Sequence, residues 1–233
     1  MAEFLAGREE AMRRSIPLWL LWGVLLLRAV PLAAHEAQTY FETGVRAFTE
    51  GKYDEAVTAL TQAITSYPHY AQAHYMLGNT YYQQQNYALA RQAFERAVAS
   101  YPGYAEAHYM LGATLYQHKE FGAAEQAVRQ ALTLYPRYEE ASDLLATLAE
   151  RQGNVPQALA AYQQVLTVNP KNLEARLRLG ILLEKTDQLA EAKQAYQQII
   201  AQQPQHVEAL LRLGILAERQ KQPAGKIRAE RRL

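Results

Sequence analysis

AQAHYMLG at residues 71–78 returns as AEAHYMLG at residues 105–112, with one substitution and an interval of 34 residues. Each octapeptide ends in a glycine inside an otherwise helical pattern. Repetition at a fixed period of about 20 to 50 residues is the sequence signature of repeat architectures. The pair therefore predicts a chain built from repeated structural units.

The same period continues on both sides of the octapeptides. Proline recurs every 34 residues without insertion or deletion, at Pro68, Pro102, Pro136, Pro170 and Pro204. Glycine keeps the phase at Gly44, Gly78, Gly112, Gly180 and Gly214, with Ala146 in the remaining position. Two further columns hold a small and then a large residue: Ala56, Ala90, Ala124, Ala158 and Ala192, followed by Leu60, Phe94, Val128, Tyr162 and Tyr196. Five consecutive units thus share one phase.

Each unit predicts a hairpin of two helices. Apolar residues recur at helical spacing over 71–85 and again over 88–100, with a short polar break between them. Proline ends the second helix, and the residue before it, such as Tyr67, is pushed towards extended geometry. A glycine within a helix costs about 1 kcal/mol relative to alanine. Its recurrence, together with that of the alanine column at Ala90, indicates that the two helices approach closely.

These columns are similar to those of the tetratricopeptide repeat, which has a large residue, Leu-Gly, an aromatic, and later Ala, an aromatic and Pro. The resemblance covers residues 37–206 as five repeats: 37–70, 71–104, 105–138, 139–172 and 173–206. Residues 207–221 resemble the first helix of a sixth repeat, acting as a cap. The resemblance implies an all-α fold, a right-handed superhelical solenoid of stacked helix-turn-helix repeats. One column departs from the family pattern, because its usual tryptophan is replaced by Tyr40, His74, His108, Ser142, Arg176 and Leu210.

The sequence carries no pattern typical of catalysis. It has no cysteine, which excludes disulfides, thiolate catalysis and cysteine-based zinc sites. It also lacks a glycine-rich phosphate loop, an HExxH motif and a paired acidic motif. His74 and His108 occupy one column of adjacent repeats, and we interpret them as packing residues because no third metal ligand is in phase. We therefore predict a protein that is not an enzyme and that holds no cofactor or metal.

The N-terminus predicts export. Residues 13–34, RRSIPLWLLWGVLLLRAVPLAA, have a basic start, an apolar run and small residues at the end, which is the layout of a secretory signal peptide. An acidic stretch precedes Met12, so Met12 is a candidate for the true start. Residues 16–34 would also serve as an uncleaved membrane anchor, since about 20 apolar residues span a bilayer. We expect a periplasmic protein in the first case, and in the second a protein anchored in the inner membrane and facing the periplasm.

Charge narrows the class of partner. Residues 35–220 contain 15 basic and 19 acidic side chains. A net acidic array does not suit nucleic acid, which requires clustered lysine and arginine. The short tail at 222–233 is basic. We interpret this tail as a solvated chain end.

The resemblance also implies where a partner would bind, because one stripe of each first helix lines the groove of tetratricopeptide repeats. Mapped by phase, the candidate groove residues are Phe41, Phe48, Tyr75, Asn79, Tyr82, Tyr109, Tyr116, Asp143, Glu150 and Glu184. These aromatic residues could fill the core between repeats. We favour a binding face, since other columns already supply the packing residues and tyrosine suits interfaces.

The sequence thus predicts an interaction scaffold of the cell envelope. It would bind a protein or peptide partner in an aromatic groove, with acidic residues that favour a basic ligand. The alternative is a structural component that associates with itself as a homo-oligomer. That alternative rests on the C-terminal edge, where the sixth helix carries Leu210, Leu211, Leu213, Ile215 and Leu216 and lacks the polar outer face of a cap.

Overall fold

The computed structural model describes the backbone of residues 18–221 and the side chains of residues 33–219. Within that range the chain forms eleven helices and no strand. They are α1 Leu18–Thr49, α2 Tyr53–Ser66, α3 Ala71–Gln83, α4 Tyr87–Ser100, α5 Ala105–Gln117, α6 Phe121–Leu134, α7 Glu139–Arg151, α8 Val155–Val168, α9 Leu173–Lys185, α10 Leu189–Gln202 and α11 Val207–Lys221. The prediction of an all-α fold is confirmed.

The two predicted terminal segments fall mainly outside this description. Residues 1–17 and 222–233, the latter being the basic tail, are not described, and residues 18–32 are described as backbone only. The predicted signal or anchor at 16–34 therefore stays a prediction. Among the described residues, no helix is both long enough and apolar enough to cross a membrane.

The helices form two compact units, the first ending at Pro102 and the second beginning at Gly103. In the first unit, α1 packs on α2, α2 on α3 and α3 on α4. In the second unit, each helix from α5 to α10 packs on the helix that follows it in the chain. Each unit is therefore a row of helical hairpins stacked in sequence order, as the 34-residue period predicts.

The turn inside each hairpin has the same backbone conformation at the same position of the repeat. Five residues spaced by 34 have φ between 59° and 75°: Gly51, Gln85, Lys119, Gly153 and Asp187. In the second hairpin the N–H of Asn86 donates to the Tyr81 carbonyl at 2.8 Å, and the N–H of Gln85 donates to the Tyr82 carbonyl at 2.9 Å. This is a Schellman motif, in which a left-handed residue lets the chain satisfy the last carbonyls of a helix and then reverse.

The junction between hairpins is set by proline. The residue before each proline of the 34-residue series ends the preceding helix in an extended conformation, with φ −140° and ψ 92° at Tyr67 and φ −129° and ψ 90° at Asn169. Tyr101 and Tyr135 have the same role. The prediction that the tyrosines before proline mark helix ends is confirmed.

The glycine column marks the closest contact between the two helices of a hairpin. A Cβ atom added at Gly78 would lie 2.6 Å from the Phe94 ring, and one added at Gly112 would lie 2.6 Å from Val128 Cγ2. Gly44 and Gly180 make the same approach to their partner helices. Large core side chains such as Phe94 are fully buried in the space that glycine leaves. Glycine is required at these positions because the partner helix lies too close for a side chain, and not because of turn geometry.

Two residues of the column that replaces tryptophan connect their hairpin to the preceding junction. The His74 ring is 8% exposed, and its Nε2 atom lies 2.8 Å from the Pro68 carbonyl oxygen. The Arg176 guanidinium donates to the equivalent carbonyl, that of Pro170. His74 is thus a packing residue with a hydrogen-bond partner, in agreement with the sequence interpretation.

Candidate functional site

The aromatic residues of the candidate groove are half-buried and paired with other rings. In the first unit Phe41 lies 5.0 Å from Tyr70 between ring centroids, and Tyr75 lies 5.9 Å from Phe94. Offset or tilted ring contacts at this distance add stability beyond simple burial. Both groove rings therefore contribute one side to the fold and leave the other side partly accessible.

A second set of ring pairs bridges the turn of each of the first three hairpins. The twelfth residue of a repeat packs on the first residue of the following helix: Phe48 on Tyr53, Tyr82 on Tyr87 and Tyr116 on Phe121, with centroids 5.2 to 5.8 Å apart. In the second unit Tyr109 pairs with Tyr138 at 5.1 Å. Each groove aromatic thus has a ring neighbour and takes part in packing, contrary to the expectation that other columns alone supply the packing residues. Asn79 lies among them, with its Nδ2 atom 4.0 Å from Met76 Sδ.

The second unit contains a cleft of about 620 Å³ on the side formed by the first helix of each of its repeats. Its wall comes from α5, α7, α8 and α9: Tyr116, Asp143, Thr147, Glu150, Arg151, Tyr162, Glu174, Arg178 and Lys185. We call it the α5–α9 cleft. A neighbouring cleft of about 380 Å³ shares Asp143 and Thr147 and adds Tyr109 and Leu144. Tyr109, Tyr116, Asp143 and Glu150, predicted by phase, are therefore brought together on one side of this unit.

Two of the three carboxylates in the α5–α9 cleft already have partners. Glu150 Oε2 accepts a hydrogen bond from the Tyr162 hydroxyl at 3.1 Å, and its Oε1 lies 4.0 Å from Lys185 Nζ. Glu174 Oε1 accepts from Arg178 Nε at 2.8 Å. Burial, followed by the charge of Glu150, raises the pKa of Tyr162 far above its ordinary value, so this hydroxyl keeps its proton.

Asp143 is different from these two residues. No described residue makes a hydrogen bond or an ion pair with its carboxylate, although the side chain is half-buried. Burial raises the pKa of Asp143, the charges of Glu174 and Glu139 raise it further, and Arg178 opposes the rise. The cleft therefore holds one carboxylate whose ionised form is under-compensated by the protein.

The predicted acidic residue Glu184 lies elsewhere in the second unit. It lines a cleft of about 320 Å³ with Ile181, Arg212 and Arg219. Its Oε2 atom accepts from the Tyr196 hydroxyl at 3.2 Å and from Arg212 Nη1 at 3.4 Å, and its Oε1 atom lies 3.7 Å from Arg219. The charge of Glu184 is therefore largely compensated within the chain.

Two family models, both described as tetratricopeptide repeat, match this sequence. One matches residues 41–105 and 75–139, and the other matches residues 149–213. The chain belongs to the tetratricopeptide repeat family. Tetratricopeptide repeats are protein-interaction scaffolds that present extended concave surfaces. A search of curated protein sequences finds no match.

Solved structures show the same repeat fold. The protein MamA shares 22% identity with a TM-score of 0.68, covering 74% of this chain and 94% of its own. YrrB, described as a tetratricopeptide repeat protein with an unusual peptide-binding site, shares 22% identity with a TM-score of 0.67, covering 79% and 95%. PilF of Pseudomonas aeruginosa shares 24% identity with a TM-score of 0.67, covering 80% and 85%. At this level of identity the likeness concerns the fold alone.

Tyr162 and Arg178 line the α5–α9 cleft but lie outside the predicted stripe. Tyr162 occupies the large-residue column of its repeat, which predicts a core position, and the residue is indeed buried, with 2% exposure. Only the length of tyrosine carries its hydroxyl to Glu150 on α7. Arg178 follows Glu174 by four residues, and this helical ion-pair spacing is the sequence signal that could have placed it. Within the described side chains, no three His, Asp or Glu residues converge on a position that could hold a metal ion.

Proposed function

We propose that this tetratricopeptide repeat chain is a non-catalytic adaptor of the cell envelope that binds a peptide or a helix on the surface that the first helices of the repeats form within each unit. The proposed contact residues are, in the first unit, Phe41, Phe48, Tyr75, Asn79 and Tyr82, and in the second unit, Tyr109, Tyr116, Asp143, Glu150 and Glu184. YrrB, a protein of the same fold that is described as having a peptide-binding site, supports this kind of function.

The observation that carries the proposal is the carboxylate of Asp143 in the α5–α9 cleft. A half-buried carboxylate without a partner is unfavourable in the free protein, and a lysine or arginine of a ligand would compensate it. Tyr116 on the same wall offers a ring face for the aliphatic stem or for the cation itself. Of the three predicted acidic residues, Asp143 is therefore the one that selects for positive charge.

The expected ligand is a short segment with a basic residue next to an aromatic or aliphatic one. The basic residue pairs with Asp143, and the apolar residue contacts Tyr109, Tyr116 and Leu144, which line the two clefts that share Asp143. Binding of an extended segment or of a helix in such a groove is a recurrent mode of peptide recognition.

Selection of displayed random peptides on the immobilised chain tests this function. We expect enrichment of segments that combine Lys or Arg with an aromatic or aliphatic residue. Asp143→Asn should weaken the binding of the selected peptide by roughly tenfold or more, which corresponds to a loss of about 1.4 kcal/mol in binding free energy. Glu191→Gln, the same type of change on an exposed residue of α10, should leave the affinity unchanged. Equal affinity of the wild type and Asp143→Asn would refute the role of Asp143.

Export is the second part of the proposal, and it rests on the sequence of residues 13–34. Sequencing the N-terminus of the protein recovered from fractionated cells tests it. A periplasmic form beginning shortly after Ala34 would support a cleaved signal, and an intact form in the inner membrane would support an anchor. An intact form in the cytosolic fraction would contradict export.

A further inference from the structure

Oppositely charged groups lie at the two ends of the surface that borders α7. The cleft of about 380 Å³ that shares Asp143 with the α5–α9 cleft lies along the N-terminal half of this helix, and its charged wall residues are Glu139, Glu140 and Asp143. The α5–α9 cleft extends to the last turn of the helix, where Arg151 joins its wall. The surface therefore changes from acidic to basic along a single helix.

Most of the charges in the α5–α9 cleft are neutralised within the chain. Arg178 Nε donates to Glu174 Oε1 at 2.8 Å, and Lys185 Nζ lies 4.0 Å from Glu150 Oε1. After these pairs are formed, one carboxylate and one guanidinium of the wall have no hydrogen bond or ion pair with any residue that the structure describes. The cleft therefore offers one free charge of each sign.

These two groups belong to Asp143 and Arg151. Both lie on α7, eight residues apart, which corresponds to about 12 Å along the helix axis. Residues four apart are neighbours on one face of a helix, so Asp143, Thr147 and Arg151 form a row along the cleft. We call these three residues the α7 row. The separation between its two charges is set by one regular helix.

The helix dipole explains only part of this arrangement. Acidic residues in the first turn of a helix and basic residues in the last turn are favourable, and this accounts for Glu139, Glu140 and the charge of Arg151. The effect falls off within the first turn, however, and Asp143 is the fifth residue of α7. The dipole also supplies no hydrogen-bond acceptor for the guanidinium of Arg151. A ligand would provide a partner for both groups.

We propose that the α7 row binds a dipolar segment of a partner protein, with a Lys or Arg side chain at Asp143 and an Asp or Glu side chain at Arg151. This inference rests on the proposed function of the same cleft, and it adds the charge pattern and the spacing of the ligand. The planar guanidinium of arginine matches a carboxylate in geometry, so Arg151 is a further specificity-determining residue. The two charged ligand residues would be about four positions apart in an extended segment and about seven or eight apart in a helix.

Selection from displayed peptide libraries tests the spacing. Each library fixes one Lys next to a Tyr and places a single Glu at one of the positions up to roughly eight residues away, with the other positions randomised among small and aliphatic residues. On the wild-type chain we expect enrichment of peptides in which Lys and Glu are separated by about four or by about seven to eight positions. Equal recovery of Glu at every separation would overturn the proposal.

A double-mutant cycle measures the pairing at Arg151 directly. The most enriched peptide and its Glu→Gln variant would be titrated by fluorescence anisotropy against the wild type and Arg151→Gln. We expect each single change to weaken binding by about three- to tenfold, and the two changes together to weaken it no further. Arg151 is exposed, so the substitution leaves the core intact. Lys193→Gln, a loss of the same charge on an exposed residue of α10, should leave the affinity unchanged.

The possible outcomes distinguish the dipolar ligand from the proposed function. Additive effects of the two changes, or an affinity that Arg151→Gln does not alter, would overturn the pairing at Arg151. If Asp143→Asn still weakened binding of the same peptide in that case, the function proposed for the α5–α9 cleft would stand without a dipolar ligand. If neither Asp143→Asn nor Arg151→Gln altered the affinity, both proposals would be wrong.

Discussion

At the scale of single residues, the contribution of the glycine column to packing can be measured separately from the effect of glycine on helix propensity. Gly112→Ala would bring Cβ within 2.6 Å of Val128 Cγ2 and 3.1 Å of the Ala124 carbonyl oxygen. Valine is stiff at χ1 and the backbone oxygen cannot rotate away. We expect a loss of about 1–3 kcal/mol in the free energy of unfolding, measured by urea denaturation.

Gly122→Ala is the matched control for this change. Gly122 lies in the first turn of α6 with nothing within 4 Å of an added Cβ, so only helix propensity acts. The change should raise stability by up to about 1 kcal/mol. If both alanine substitutions shifted stability in the same direction, the packing role of the glycine column would be wrong.

Asp143 gives a second residue-scale prediction, in which stability and binding change in opposite directions. Its pKa in the folded protein is raised above the ordinary value of 3.8, so its ionisation costs stability as the pH rises above that value. Asp143→Asn should therefore raise the midpoint of thermal unfolding at pH 7. The gain should vanish below pH 3.8, where aspartate is protonated in both states.

The same substitution should weaken binding of a basic peptide at pH 7. The affinity of the wild type should fall as the pH drops through the raised pKa of Asp143, and that of Asp143→Asn should be low and flat. Titrations at several pH values would separate the two curves. Loss of both stability and binding in Asp143→Asn would indicate a structural residue instead.

At the scale of elements, the turn of each hairpin depends on one left-handed residue. Lys119 has φ of 61° and Gly153 has φ of 72° at the same position of successive repeats. A residue with a Cβ atom costs about 1–2 kcal/mol in this conformation, and glycine avoids that cost. We expect Lys119→Gly to raise, and Gly153→Ala to lower, the urea midpoint of unfolding. Identical signs for the two changes would contradict the shared turn geometry.

The 34-residue period, with its recurring proline and glycine, predicts the hairpins because the effects of these two residues are local. Proline removes a hydrogen-bond donor and glycine admits a close neighbour, and both effects are fixed by residue type. The left-handed turn is harder to predict, since only Gly51 and Gly153 carry glycine there while Gln85, Lys119 and Asp187 do not. At those three positions the backbone hydrogen bonds that close the turn outweigh the local preference.

The candidate site is only partly predictable for a related reason. Helical phase places Tyr116, Asp143 and Glu150 on one side, because phase depends on spacing alone. Which carboxylates are neutralised depends on side-chain reach, as with the Tyr162 hydroxyl that meets Glu150. The sequence therefore indicates three acidic residues that bias the ligand, whereas the structure leaves Asp143 as the one without a partner among the described residues.

At the scale of the whole molecule, a stack of repeats distributes stability through contacts between neighbours. Leu216 on α11 is 1% exposed and packs in one cluster with Tyr196 and Ile199. Leu216→Ala should cost about 2–5 kcal/mol in the local stability of the last hairpins. Hydrogen exchange should accelerate most in α9–α11 and less in α5–α6.

Leu211→Ala is the control for this prediction, because its side chain is 61% exposed on the same helix. It should leave the exchange rates of a dilute sample nearly unchanged. A uniform acceleration over α5–α11 after Leu216→Ala would contradict the graded response that nearest-neighbour stacking predicts.

An adaptor whose α5–α9 cleft holds a partner should retain that partner in affinity capture from native cell extract. Three baits would be compared with identification by mass spectrometry: the wild type, Glu191→Gln, and the double variant Tyr116→Ala with Asp143→Asn. We predict at least one protein that the wild type and Glu191→Gln retain and that the double variant, with helicity intact by circular dichroism, loses. Recovery of the same proteins with all three baits would contradict a partner held in the α5–α9 cleft.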